Sequence, residues 1–301
     1  MELRERPCPI CRTGDSGHVL FPAKVDEKKI GEFAFASRKA PEYMHFRLLQ
    51  CGACDTLYAS PAPTAETLAR EYDRAAYDSD TEANYAAKTY GHYLEKYLLP
   101  TLGRRQGAID IGTGNGSFLE ELLDRGFTDV RGVEPSTAPI AMAPARVRPL
   151  IKQGIFRASD FTPGSFSLIS CFQTIEHVPD PLALAKEAFG LLRPGGALYL
   201  VSHNYRSLHT RVVGERSPIF DIEHLQLFSP SSLKNLLKEA GFKDIVVVPI
   251  ANRYPLNYWL RLLPIPGGAR RVVDDALRSL HLSGVPIPLR AGNLATFGVK
   301  P

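Results

Sequence analysis

Residues 108–116, Ala-Ile-Asp-Ile-Gly-Thr-Gly-Asn-Gly, constrain this chain more than any other stretch. An apolar run that stops on a carboxylate and enters glycine at three alternate positions reads as a buried strand feeding a tight turn. Gly112, Gly114 and Gly116 let backbone N–H groups approach a ligand with no Cβ in the way. The following Ser-Phe-Leu-Glu-Glu-Leu-Leu opens an amphipathic helix whose N-terminus favours an anionic group. Asp110 and the three glycines are therefore placed at one edge of a cofactor pocket in an open α/β sheet. Gly112-x-Gly114-x-x-Ser117 also nearly matches the dinucleotide fingerprint, and a glycine turn can be a plain connection.

The next strand separates these alternatives. Asp129-Val-Arg-Gly-Val-Glu-Pro ends on Glu134, close to the roughly 20-residue offset at which an acid grips ribose hydroxyls in doubly wound folds. Asp110, two residues before the first glycine, would repel a pyrophosphate. It suits instead the ammonium and sulfonium charges of S-adenosylmethionine.

Further segments carry a family resemblance. Asp110-Ile-Gly-Thr-Gly-Asn-Gly, the Glu134-Pro-Ser turn, Asp160-Phe161, residues 166–181 around Gln-Thr-Ile-Glu-His-Val-Pro-Asp-Pro, and Leu192-Arg-Pro-Gly-Gly-Ala-Leu-Tyr-Leu-Val stand in an informative order. Together, over roughly residues 103–250, they resemble the ordered motifs of class I S-adenosylmethionine-dependent methyltransferases. The resemblance implies a seven-stranded Rossmann-like α/β sheet. It also implies Asp160 near the adenine amino group, Phe161 against the ring, and Gln173 and Thr174 facing the transferred methyl.

Cysteine spacing is the second strong signal. Cys8-Pro-Ile-Cys11 and Cys51-Gly-Ala-Cys54 are two C-x-x-C knuckles, and four thiolates make a closed tetrahedral zinc site with no open position for chemistry. Residues 12–50 between the pairs exceed the spacing of a minimal ribbon, so a hairpin is expected there, with strands near Phe33-Ala-Phe-Ala-Ser and His45-Phe-Arg-Leu-Leu-Gln-Cys. Cys171, alone in an apolar strand, reads as a small buried hydrophobe. The expected organisation is a zinc-ribbon-like module at 1–60, a helical connector at 61–102, and a methyltransferase domain at 103–301 with an insertion at about 251–292. Ala86, Tyr90, Tyr93, Leu94, Tyr97 and Leu98 recur at helical spacing in the connector, and Tyr72 and Tyr77 before them are placed to cover the cofactor.

Later elements are marked by their punctuation. A helix is expected at Leu182–Leu192 and a strand at Ala197–Val201 after Arg193-Pro-Gly-Gly196. A capped helix from Ser229 stops at Gly241, with strands at Ile245–Val248 and Leu294–Val299. Val147–Ile155 holds Pro149 and Gly154, and no strand boundary can be read there.

Four histidines lie near the expected strand ends. His177 reads as a structural or cofactor-loop residue, and His203 lies on the crevice side just past the fifth strand. Phe220-Asp-Ile-Glu-His-Leu-Gln-Leu-Phe-Ser resembles the Glu-His motif of zinc-binding sugar C-methyltransferases, with Asp221 where those enzymes carry tyrosine. That likeness implies His224, supported by Glu223, as the base, with His203 a further catalytic candidate. His209 has no supporting context.

The expected function is methylation of a small-molecule acceptor such as a sugar, a lipid-linked compound or a natural product. The alternatives are an RNA base methyltransferase and a non-catalytic cofactor-binding scaffold. Against RNA, residues 1–60 hold nine Lys and Arg against eight Asp and Glu, so the ribbon is no basic platform. The chain's net charge of +4 is likewise modest. With no apolar leader at residues 1–6 and no membrane-length apolar run, a cytoplasmic protein is expected. Residues 251–301 carry seven basic and two acidic residues beside Tyr254, Tyr258, Trp259, Leu260, Leu262 and Leu263. Either a helical flap or a substrate cover is consistent with this segment. As a cover it would grip an anionic acceptor through Arg261, Arg270 and Arg271, with peripheral membrane contact through 251–292.

Overall fold

The computed structural model describes residues 2–13, 17–26, 43–73, 80–262 and 267–301. Seven strands lie side by side in the order Lys243–Pro249, Asn293–Val299, Leu192–His203, Phe166–Phe172, Gln106–Ile111, Thr128–Glu134 and Ile151–Gln153. Asn293–Val299 runs antiparallel to both neighbours, while the pairings from Leu192–His203 to Ile151–Gln153 are parallel. This is the Rossmann-like methyltransferase sheet that the motifs imply.

Helices cover both faces, so the central strands are buried on both sides and read as continuous apolar runs. On one face Ile109, Ile169 and Leu198 pack with Leu184 and Ala188 of helix Pro181–Leu191 and with Leu233 and Leu237 of helix Pro230–Glu239. On the other, Ala108, Leu168 and Tyr199 pack with Leu94 of helix Asp80–Tyr97 and with Leu119 and Leu122 of helix Ser117–Asp124. The alternation of side chains along a strand divides the two clusters.

Punctuation explains where the elements end. The Asp180 carboxylate accepts from the Ala183 N–H at 3.0 Å and Pro181 occupies the first turn, which starts Pro181–Leu191. Ser229 and Ser232 form a capping box on Pro230–Glu239, and Gly241 follows with φ +101°. Arg193-Pro-Gly-Gly196, expected as a turn before the fifth strand, lies within it: Leu192–His203 bulges between Leu192 and Ala197, and the Gly195 N–H donates to the Lys300 carbonyl. The third strand keeps only Ile151–Gln153, squeezed between a single turn at Arg148–Leu150, which holds Pro149, and Gly154.

A second sheet runs Gln226–Leu227, Leu57–Ala59, Leu48–Cys51, Gly17–Phe21. Its first strand comes from beyond the fifth strand of the central sheet, so the cysteine-bearing segment and the loop after His203 share one hydrogen-bonded ladder. The hairpin strand expected at 33–37 lies outside the described residues, and His45 forms an isolated bridge with Lys24. Helix Ala65–Asp73 begins after Thr64, whose hydroxyl accepts from the Thr67 N–H. Residues 251–292 form an antiparallel pair, Asn252–Pro255 with Pro286–Leu289, which frames helices Leu256–Leu262 and Gly267–Ser279.

Candidate active site

The strand order reverses between Phe166–Phe172 and Gln106–Ile111, and open α/β sheets bind ligands in the crevice outside the carboxyl ends at such a point. A cavity of about 880 Å³ lies there. One half is walled by Asp110, Gly112, Thr113, Gly114, Asn115, Glu134, Ser136 and Phe156. Glu134 is held by two backbone donors: the Gly114 N–H reaches one carboxylate oxygen and the Ser136 N–H the other, each at 2.9 Å. A Cβ on Gly112 would stand 2.2 Å from the Thr174 hydroxyl, and φ there is +73°, so this position needs glycine for space and for conformation alike. Gly114 also has positive φ, and a Cβ there would meet nothing. Gly116 caps helix Ser117–Asp124 and backs onto Val147 and Ile151 instead of the cavity.

Asp110 is buried, with a carboxylate oxygen accepting from the Ser170 hydroxyl at 2.6 Å. Burial pushes its carboxyl up to about 7, against the opposing Ser170 bond and with Glu134 adding to the rise. Glu134 is also raised by burial, opposed by the Ser136 and Gly114 N–H groups. Two neighbouring buried acids with no Lys or Arg among the described lining residues suit a cationic ligand. Gln173, at the end of Phe166–Phe172, takes a left-handed φ of +47° and donates through Nε2 to the Tyr90 hydroxyl at 3.2 Å. Thr174 donates to the Phe172 carbonyl, and both Gln173 and Thr174 line the cavity.

Asp160 and Phe161 depart from the expected arrangement, since neither lines the cavity. Asp160 pairs with Lys152 at 2.8 Å, and Phe161 stacks at 18° behind Phe156. The chain reaches the wall at Ile155 and Phe156, five residues earlier, because the third strand ends at Gln153.

The other half of the cavity gathers His177, His203, His224, Asp221, Glu223, Tyr72, Tyr254, Tyr258 and Trp259. The His224 ring lies between those of His177 and His203, at centroid distances of 4.9 and 5.1 Å. Each imidazole faces an acceptor at Nδ1: the Glu223 carbonyl for His177, the Ile219 carbonyl for His224 and the Glu176 carboxylate for His203, at 3.0, 2.8 and 3.1 Å. A neutral ring with its proton on Nδ1 leaves Nε2 as the acceptor. Glu223 stands 4.0 Å from His224 Nε2, beyond hydrogen-bond range and on the wrong nitrogen to orient that ring as the sequence implied. Burial lowers the His177 pKa, with Glu176 and the Glu223 carbonyl opposing.

Glu176, which the sequence reading passed over, is the carboxylate that backs an imidazole. It is fully buried, and one oxygen accepts from both the backbone N–H and Nδ1 of His203. Its second oxygen is buried with no hydrogen-bond partner among the described residues. The available signal was its place directly before His177 at a strand end.

Over this half lies the insertion. Trp259 donates to the Ile287 carbonyl at 2.9 Å, and Tyr254 packs against Tyr258 at 4.3 Å and Trp259 at 5.4 Å between ring centroids. Arg271 is exposed and off the wall, while the side chains of Arg261 and Arg270, with Leu263 and Tyr77, lie outside the described residues. Val272, Leu280 and Leu289 are also exposed, whereas Tyr254, Trp259 and Leu260, which the membrane expectation set beside the arginines, are buried. No helix among the described residues is long and apolar enough to cross a membrane.

The four cysteines meet away from this cavity. Their sulfurs all lie within 4.8 Å of one another, with Cys8 to Cys54 at 3.4 Å and Cys11 to Cys51 at 3.5 Å. A tetrahedral ion with Zn–S bonds of about 2.3 Å sets sulfur separations of roughly 3.8 Å, so the donor set fits zinc. The Thr13 and Thr56 hydroxyls contact Cys11 and Cys54 as outer supports.

A methyltransferase-domain family profile matches residues 82–247. The chain is 28% identical over 169 residues to a ubiquinone biosynthesis O-methyltransferase of Pseudomonas aeruginosa, covering 49% of this chain and 71% of that one. It is 26% identical over 168 residues to the protein of the same name from Idiomarina loihiensis, covering 52% and 68%. Among solved structures it is similar to Haemonchus contortus phosphoethanolamine N-methyltransferase 2 bound to S-adenosylmethionine, with TM-score 0.49, 19% identity and coverage of 80% and 61%. Geranyl diphosphate C-methyltransferase from Streptomyces coelicolor is another, with TM-score 0.46, 16% identity and coverage of 80% and 100%.

Proposed function

We propose, from the premise that this chain belongs to the methyltransferase-domain family and is an S-adenosylmethionine-dependent methyltransferase, that it methylates a small molecule whose reacting ring carries no anionic group. The observation behind this reading is one cavity that joins the glycine turn and its acids to three imidazoles under an aromatic wall. The O-methyltransferase relatives support a small-molecule acceptor methylated at oxygen. Zinc on Cys8, Cys11, Cys51 and Cys54 would be structural.

Bound S-adenosylmethionine supplies an electrophilic methyl on a sulfonium. The chain's own residues bind, orient and move a proton. Glu134 would hold the ribose diol, Phe156 would lie against the base, and Asp110 would face the cationic part. The Gly114 backbone leaves room for close approach, and Gln173 and Thr174 would flank the methyl. His203, with Nδ1–H on Glu176, would take the acceptor's proton at Nε2 as the new bond to the methyl carbon forms and the C–S pair returns to sulfur. Formation of an imidazolium beside the buried Glu176 carboxylate neutralises a charge that is otherwise costly to bury.

The raised Asp110 carboxyl makes cofactor binding pH-dependent. Below about 7 the acid is protonated in the free protein, and a cation binds the ionised form, so binding releases a proton and tightens as pH rises through that value. Calorimetry should find S-adenosylmethionine affinity rising on the order of tenfold from about pH 6 to 7.5, and flat in Asp110→Asn. An affinity that is flat in the unaltered protein refutes the role.

Acceptor charge can be tested on the single tryptophan, Trp259. Asp221 and Glu223 line the same cavity as the aromatic wall, and like charges brought together cost several kcal/mol. With S-adenosylhomocysteine present, 4-hydroxybenzyl alcohol should change Trp259 fluorescence at concentrations at least about tenfold lower than 4-hydroxybenzoate does. Equal or tighter binding of the carboxylated ring overturns the assignment.

A further inference from the structure

Asp55 follows Cys54 directly and sits far from the cofactor motifs in sequence, yet beside a local bond from Gln50 Nε2 at 2.9 Å its contacts converge on the two segments that carry His203 and His224. The Tyr205 hydroxyl donates to its carboxylate at 2.6 Å and to its carbonyl at 3.1 Å. Arg206 Nη2 donates to the same carboxylate oxygen at 2.5 Å, and Arg206 also lies over the Tyr205 ring. From the other segment, the Ser229 hydroxyl reaches the Asp55 carbonyl and the Ser231 hydroxyl the second carboxylate oxygen, both at 3.3 Å. Tyr205 and Arg206 stand just past His203, and Ser229 and Ser231 just past His224.

We propose that Asp55 is a positioning residue that ties both histidine-bearing segments to the four-cysteine knuckle. The proposal rests on His203 and His224 facing the acceptor, as read above.

Backbone geometry explains why this residue type stands here. Asp55 has φ +59°, and its N–H donates to the Cys51 carbonyl at 3.0 Å, closing the second knuckle. Asp and Asn adopt this left-handed conformation more readily than most non-glycine residues, and of the two only Asp also offers a charged acceptor to Arg206 and Tyr205. Hydrogen bonds to an ionised acceptor are stronger than neutral ones. The backbone reinforces the tie: the Tyr205 N–H donates to the Phe228 carbonyl, and the Ala59 N–H to the Leu225 carbonyl at 2.8 Å. Leu225 N–H in turn donates to the Glu176 carbonyl. Knuckle, His203 segment, His224 segment and Glu176 thus form one closed circuit, and a shift of Asp55 moves the imidazoles relative to each other without touching the glycine turn.

Asp55→Asn keeps the backbone conformation and removes the charge, so it isolates the carboxylate. Zinc content by elemental analysis and S-adenosylhomocysteine affinity by calorimetry should stay at wild-type values. Hydrogen exchange read by mass spectrometry should speed up by at least about tenfold in peptides holding Tyr205 and Leu225, with the peptide of residues 108–116 unchanged. Histidine-labelled NMR should show the His203 and His224 imidazole signals displaced, while those of the exposed His92 and His281 stay in place. Tyr205→Phe, a milder change that removes one hydroxyl, should produce the same pattern at smaller amplitude. Unchanged exchange, or faster exchange with both imidazole signals unmoved, overturns the proposal. A wrong base assignment would register differently, as full turnover in His203→Ala with this network intact.

Discussion

Glu176→Gln is expected to lower methyl transfer by roughly 10²-fold or more while leaving S-adenosylmethionine affinity unchanged. The carboxylate does not line the cavity and accepts from both the backbone N–H and Nδ1 of His203. Gln would retain an oxygen toward His203 but lose the charge that favours an imidazolium. It would also place an amide N–H₂ where Glu176 Oε2 now lies buried with no hydrogen-bond partner among the described residues, at a desolvation cost of about 1–3 kcal/mol. His203→Ala should cost roughly 10²–10⁴ in turnover. His224→Ala should cost less, because its Nδ1 rests on the neutral Ile219 carbonyl. Steady-state kinetics with an identified acceptor reads these effects as a fall in kcat at constant KM for the cofactor. A larger loss for His224→Ala than for His203→Ala would return the base to the residue favoured by the sequence motif.

The proposed shift of the base from His224 to His203 rests on contacts that sequence does not display. Local signals carried the scaffold: the glycine turn after Asp110, the acid at Glu134 and the capped helix after Ser229 lie where spacing and punctuation put them, and Gln173 and Thr174 line the cavity at the strand end to which the family resemblance assigned them. Each depends on neighbours within a few residues or on the regular offset of a βαβ unit. The misread features depend on long-range contacts. Glu176 and His203 come together only because Phe166–Phe172 and Leu192–His203 are adjacent parallel strands whose ends coincide. Glu223 adjoins His224 in sequence, yet its carboxylate stands 4.0 Å from Nε2 while Nδ1 faces the Ile219 carbonyl. Phe156 replaces Phe161 on the wall because a proline and a glycine cut the third strand to three residues, which no periodicity could reveal. Asp55 belongs to the same class, since its partners Tyr205, Arg206, Ser229 and Ser231 lie about 150 residues or more away.

Removal of the zinc proposed on the four cysteines should have the largest effect on stability. Apparent binding energies of structural zinc are about 10–16 kcal/mol, comparable with the whole stability of a domain at about 5–15 kcal/mol. Here the knuckles are not an appendage. Cys8, Ile10, Cys51 and Cys54 share an apolar cluster with Ile169 and Phe228, and Arg6 donates to the carbonyls of Ala59, Pro179 and Leu225. Loss of the ion leaves four mutually close thiols in that cluster and loosens the strand Leu57–Ala59, on which Gln226–Leu227 is laid. Chelation, or the paired change of Cys8 and Cys54 to Ser, should therefore release one zinc per chain and lower Tm by more than about 10 °C, at roughly 2–4 °C per kcal/mol for a chain of this order of size. The damage should extend past residue 60: Tyr205 and Leu225 should lose hydrogen-exchange protection together with the knuckles, while Asp55→Asn alone should leave zinc bound. Elemental analysis that finds no zinc in freshly purified protein, or a Tm unchanged by chelation after zinc release, rejects a structural metal at this site.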